Sequence, residues 1–201
     1  MVVALALVLA SAPAIAGLYQ AHQMEVGAAL ELQKNGHFRY QLDYGAVSEH
    51  AEGNWTFDGK TVRLTTSPAP KQPSFELVRD DPAPTGQVSL KVEPPGFGDG
   101  YRLDAVATDT AGAKGRVSTD DEGVVEAGSH QLSAIDPLVP VYATLAGHFP
   151  LSPDRGHRLL FRFHANDLGT AAFTSEPLAL TPLGLVLNRY DSEIRFMRVR
   201  P

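Results

Sequence analysis

From Ala28 onward the apolar residues recur at every second position, and turn signals interrupt them every eight to twelve residues. A period of two is the mark of strands with one buried face, whereas a helix would space its apolar residues by three and four. Leu30 and Leu32 alternate with Glu31 and Gln33, and Lys34-Asn35-Gly36 then supplies a tight turn. Phe38, Tyr40 and Leu42 alternate with Arg39, Gln41 and Asp43 in the same way. A third strand over Glu52–Phe57 turns at Asp58-Gly59 into a fourth that carries Val62 and Leu64. The 18 Gly and 15 Pro punctuate this pattern along the whole chain. It predicts an all-β protein of about fourteen short antiparallel strands, with no long helix after the N-terminal segment.

A meander of about forty residues cannot bury enough surface alone, so it needs a second layer. The Pro-rich stretches suggest where that layer begins. Ser67–Pro73 carries three prolines, and Asp80-Asp81-Pro82-Ala83-Pro84 carries two more. The reading is a β-meander module over 17–79, a linker over 80–86 and a β-sandwich module over 87–201. The second module has alternating runs at Val88-Leu90-Val92, Leu159-Phe161-Phe163, Leu185-Leu187 and Ile194-Phe196.

Val2–Ala10 is an unbroken apolar run, and Ala14-Ile15-Ala16 follows as a small-x-small site of the kind signal peptidase accepts. Its nine residues cover about half of a bilayer's hydrocarbon core, so the run is read as a signal peptide over 1–16 and not as an anchor. No Lys or Arg precedes the run. The expectation is a periplasmic or secreted protein that is not integral to the membrane once the signal is cleaved.

Several chemistries are set aside by composition. With no cysteine there is no disulfide, thiolate metal site, cysteine nucleophile or acylated lipoprotein Cys. No G-x-S-x-G occurs, and Ser129-His130, as strand neighbours, would point to opposite faces. The seven His lack H-E-x-x-H or H-x-H spacing, and His157 and His164, seven apart, have opposite strand parity. Asp120-Asp121-Glu122 is too short a run for a calcium loop and reads as a solvated turn. The net charge of −6 hides an acidic body and a tail, 154–201, with seven Arg against five acids. In that tail Arg195, Arg198 and Arg200 interleave with Ile194, Phe196 and Val199, as on a solvated strand face, so no nucleic-acid partner is expected. No catalytic residue, metal ligand or cofactor is assigned, and the chain is read as a non-enzyme.

The order leucine-rich strand, Asn35-Gly36, aromatic strand, Gly53-x-Trp55, Asp58-Gly59, Val62-x-Leu64 resembles the β-meander of lipocalin-like and copper-response lipoprotein modules of bacteria. The missing Cys withholds the metal-sensing role of the latter. Thr119-Asp120-Asp121-Glu122-Gly123, within 88–125, is similar to a turn of prealbumin-like and carboxypeptidase-regulatory β-sandwich modules, which implies a structural or interaction role. Gly53-x-Trp55 and Asn166-Asp167-Leu168-Gly169 together look like uncharacterised exported proteins of α-proteobacteria.

One cluster is a candidate site. Trp55 lies beside Gly53, and Tyr40 and Tyr44 stand on the preceding strand, where cross-strand aromatic pairing makes either a core or the lining of an apolar pocket. The functional expectation is a non-catalytic interaction or structural module of the envelope. The alternative is a carrier of a small apolar ligand held by Tyr40, Tyr44 and Trp55, and a hydrolase with a site assembled from distant residues comes third.

Overall fold

A computed structural model describes residues 15–93, 102–125 and 131–199. Ser129, His130, Tyr101, Arg200 and the apolar run of the expected signal lie outside them. Among the described residues there are sixteen strands and no helix, so the chain is all-β. In order they are β1 (Gly17–Gln23), β2 (Val26–Leu32), β3 (His37–Tyr44), β4 (Val47–Phe57), β5 (Thr61–Thr66), β6 (Ser74–Ala83), β7 (Val88–Val92) and β8 (Asp104–Asp109). The others are β9 (Lys114–Ser118), β10 (Leu132–Val139), β11 (Thr144–Leu145), β12 (Phe149–Pro150), β13 (Gly156–His164), β14 (Glu176–Thr181), β15 (Gly184–Arg189) and β16 (Ser192–Arg198).

The chain forms two compact units, and they do not follow the expected division at 80–86. The first combines residues up to Pro70 with Gly169–Pro201, and the second is the stretch between them, Lys71–Leu168. Asp80, Asp81 and Pro82 are not linker residues: they lie in β6, paired with Leu159, Arg158 and His157 of β13. Pro is tolerated there because β6 is the outer strand of its three-stranded sheet. The C-terminal strands, read as part of the sandwich, instead close the meander. Turn signals reveal local hairpins and are silent on which distant strands pair.

In the first unit the strands form a closed barrel in the order β1-β16-β15-β14-β5-β4-β3-β2. Closure removes both free edges of the meander, which is the second layer that it required. The alternation is strict: Phe38, Tyr40 and Leu42 of β3 point inward against Leu30 and Leu32 of β2, Val62 and Leu64 of β5, and Leu185 and Leu187 of β15. These side chains are buried to within a few per cent, as expected where eight strands leave an interior just wide enough to be filled. Gly53 sits where a Cβ would lie 2.1 Å from the Thr65 carbonyl oxygen, so the close approach of β4 to β5 demands glycine. Ile15 and Ala16 belong to this core as well: the Tyr19 hydroxyl donates to the Ile15 carbonyl at 2.6 Å and Arg198 Nη2 to the Ala16 carbonyl at 2.6 Å. The expected cleavage point after Ala16 therefore falls between residues that pack as one piece.

β5 pairs with β4 only over Gly53–Phe57, which leaves the first half of β4 without that neighbour. The segment after Gly169 takes the place: His50 N–H donates to the Gly169 carbonyl and Ala171 N–H to the His50 carbonyl, both at 2.9 Å. Thr66 then clamps it, its hydroxyl donating to the Ala171 carbonyl at 2.7 Å and accepting from Phe173 N–H at 3.0 Å. This segment is a plug that drives Phe173 into the barrel, 5.0 Å from the Tyr40 ring in an edge-on contact.

The second unit holds the sheet β11-β10-β8-β9, with β12 also on β10, and the sheet β6-β13-β7. Phe75, Leu90, Ala105, Ile135 and Phe161 are among its core residues. One expectation fails here: β7 and β13 run parallel, so the chain is not antiparallel throughout. His157 is buried on β13, with Nδ1 at 2.9 and 3.0 Å from the two Asp80 carboxylate oxygens and Nε2 2.9 Å from the Ser152 carbonyl. The Asp120 carboxylate accepts from the Glu122 and Val124 amides, so it organises its own turn.

Candidate functional site at one end of the barrel

Successive barrel strands run up and down, so the ends of β3 and β15 and the starts of β4 and β16 meet at one rim. The inward line of β4 is Glu49, Ala51, Gly53, Trp55, and its first member is a carboxylate buried among apolar neighbours. The inward line of β15 is Leu185, Leu187, Arg189, and its last member is a guanidinium. The two meet. Arg189 Nε donates to Glu49 Oε2 at 2.7 Å and Nη2 to Oε1 at 2.6 Å, a bidentate pair of the stronger kind. The Tyr190 hydroxyl donates to Glu49 Oε1 as well. Tyr190 and Asp191 both have positive φ, 52° and 55°, in the tight β15–β16 turn that aims this phenol back at Glu49.

Aromatic rings enclose the cation. The Arg189 guanidinium carbon is 5.3 Å from the centre of the Phe173 ring and 5.0 Å from that of Tyr190. Both lie within reach of a cation–π attraction. Tyr44, half-buried, stands 6.2 Å from Tyr190 with the rings tilted by 40°. Tyr40 lies deeper, and its hydroxyl is buried with no hydrogen-bond partner.

The electrostatics follow from this geometry. Burial pushes the Tyr40 phenol well above its usual range; Arg189 opposes the shift, while Glu49 and Tyr190 add to it. Tyr190 is raised too, first by burial and then by its bond to the Glu49 carboxylate. For Arg189, burial alone would favour loss of the proton, but the hydrogen bond and charge of Glu49 outweigh it and hold the guanidinium charged. The cluster is therefore one cation, one anion and neutral phenols. Within it the Tyr40 hydroxyl is buried without a partner among the described residues.

The structure thus brings Tyr40 and Tyr44 together with three residues that the sequence reading passed over, Glu49, Arg189 and Tyr190. It separates them from Trp55. That side chain lies six residues along β4 from Glu49, roughly 20 Å at strand spacing. There its indole N–H donates to the Gln33 carbonyl at 2.9 Å, as part of the packed opposite end. A polar cleft of about 260 Å³ near Trp55 is lined by His37, Arg39, Glu52 and Asn54, and is not an apolar pocket. The missed residues did leave a signal: extending the inward parity of Trp55, Gly53 and Ala51 reaches Glu49, and that of Leu185 and Leu187 reaches Arg189.

His148, His157 and His164 each bond a carboxylate, from Asp136, Asp80 and Glu76, with no hydroxyl completing a triad among the described residues. The His50 imidazole meets the Thr170 hydroxyl at 3.3 Å on the exposed wall, without a bonded carboxylate among those residues. No group of three or more His, Asp or Glu among the described residues is placed to hold a metal ion. No known protein family, curated protein or solved structure matches this chain.

Proposed function

We propose that this chain is a non-catalytic binding protein whose barrel takes a small molecule at the Tyr40–Tyr44–Glu49–Arg189–Tyr190 end. One observation carries the reading: polar groups converge at the end of an otherwise apolar barrel, and one of them, the Tyr40 hydroxyl, is buried with no partner. An unmet buried donor is costly in the free protein and is relieved when a ligand supplies the acceptor. The filled interior argues for a ligand held at the end and not swallowed along the axis, as the expected apolar carrier would hold it. The test is a thermal-shift screen of uncharged, anionic, cationic and apolar compounds, with hits mapped by tyrosine ring resonances. Hits that move Tyr40, Tyr44 and Tyr190 support the proposal; hits that leave all three unmoved, or no hit at all, refute it.

The expected envelope interaction module stands as a second reading, favoured by apolar side chains on the outer wall. Leu18, Met197 and Val199 are exposed there, on strands joined by the Val199 N–H to Leu18 carbonyl bond. Under this reading Leu18→Lys with Met197→Lys releases the protein from an envelope fraction without changing small-molecule binding. Retention of the double variant rejects it. Export through Val2–Ala16 belongs to the same proposal, and N-terminal sequencing of the exported protein tests it.

A further inference from the structure

We infer that the barrel-end site selects an uncharged ligand through a carbonyl-type oxygen, which accepts a hydrogen bond from the Tyr40 hydroxyl. This rests on the proposal that this end of the barrel binds a small molecule, and it assigns the chemistry of that molecule.

The hydrogen-bond inventory decides the polarity. The Glu49 carboxylate already accepts from Arg189 Nε, Arg189 Nη2 and the Tyr190 hydroxyl. The unmet group is the Tyr40 hydroxyl, kept protonated because burial raises its pKa. A protonated phenol with no acceptor asks for an oxygen to donate to.

Charge narrows the class further. Glu49 neutralises Arg189 in bidentate geometry, so the pair presents no net charge. A ligand carboxylate would have to share one guanidinium with Glu49 and lie beside a like charge. An ammonium would face Arg189. A purely apolar molecule would leave the Tyr40 hydroxyl unmet, so it gains nothing from the polar end. An uncharged carbonyl satisfies that hydroxyl and adds no charge. The Tyr44 and Tyr190 rings, tilted and half-buried at the rim, offer flat faces for the rest of the ligand. Glu176 also acts on the Tyr40 phenol and raises its pKa, so the negative potential there again disfavours an anion.

The experiment titrates the full chain with four probes that share one ring: benzamide, benzoate, benzylamine and toluene, followed by tyrosine ring resonances. Benzamide is expected to shift Tyr40, Tyr44 and Tyr190 and to bind at least tenfold more tightly than the other three. Tyr40→Phe is expected to weaken benzamide at least fivefold while the Trp55 fluorescence unfolding transition shows the barrel intact. If benzoate, benzylamine or toluene binds at these residues as tightly as benzamide, or if Tyr40→Phe leaves benzamide binding unchanged, the inference is overturned while barrel-end binding stands. If no probe moves the three tyrosines and the broader screen also gives no hit there, both fall together.

Discussion

Replacing Tyr40 by Phe removes a single oxygen and leaves the ring, so it isolates what the buried hydroxyl does. In the free protein that hydroxyl is buried with no partner among the described residues. Such a group costs about 1–3 kcal/mol relative to a satisfied one. The edge-on contact with Phe173 at 5.0 Å is retained by a phenyl ring, and the void left by one oxygen is small. The expected outcome is that Tyr40→Phe stabilises the barrel by about 1 kcal/mol, which for a unit of this size raises Tm by roughly 4–8 °C. Most substitutions at a buried site destabilise, so the direction is itself diagnostic. Trp55 is the sole tryptophan and packs inside the barrel, so its fluorescence follows the unfolding of this unit separately from the second. Equilibrium denaturation read at Trp55 gives the free energy, and an unchanged denaturant slope shows that the unfolded reference has not moved. A fall in stability of 1 kcal/mol or more would refute the reasoning. It would mean that the hydroxyl is satisfied in solution by an ordered water bridging to the Glu49 cluster, and that its bond is worth keeping.

Glu49→Ala strands the half-buried Arg189 and removes the acceptor of Tyr190, with an expected loss of roughly 3–5 kcal/mol at the Trp55 transition. Arg189→Met in the same chain should restore most of it, and a double variant no better than the single one would show that the pair is not the cause. Tyr19, Tyr40 and Tyr190 are all pushed above the ordinary phenol range, chiefly by burial. Their protonated forms are favoured by folding, so the stability they contribute is full below pH ~10 and is lost as pH rises through their folded values. Phenolate absorbance should therefore show these three ionising later than an exposed tyrosine and together with unfolding; ionisation at the ordinary pH in a folded protein contradicts it. In the second unit, His157→Ala removes a buried ring that bonds Asp80 and the Ser152 carbonyl, at an expected cost of roughly 2–4 kcal/mol. Amide exchange in β6 and β13 should accelerate, and unchanged protection there would rule out a holding role for this histidine.

Most of the strands could be read from the chain, because alternation and turn chemistry are local. Phe38-Tyr40-Leu42 and Val62-Leu64 point inward as their spacing requires, and Asn35-Gly36 and Asp58-Gly59 sit between paired strands. The site was half legible. Tyr40 and Tyr44 lie two strand repeats apart on one face, but Trp55, grouped with them through its neighbouring strand, points inward at the other end. Glu49 lies three residues before the strand that the sequence pattern predicts over Glu52–Phe57, in the part of β4 that the alternation does not mark. Arg189 carries no local sign of its role, since its partner lies 140 residues away.

What the sequence determined by itself is the all-β class, the inward and outward faces of strands such as β3 and β5, and the chemistries that a chain without cysteine cannot perform. Only the tertiary structure decided that β14, β15 and β16 close the N-terminal meander although residues 71–168 intervene in sequence, and that Phe173, Glu49 and Arg189 meet at one end of the barrel. The physical reason is the range of the forces that write each signal. Strand alternation and turns are set by neighbours a few residues apart. Barrel closure and the pairing of one carboxylate with one guanidinium depend on contacts between residues more than a hundred positions apart, whose free energy appears only when the whole barrel has formed.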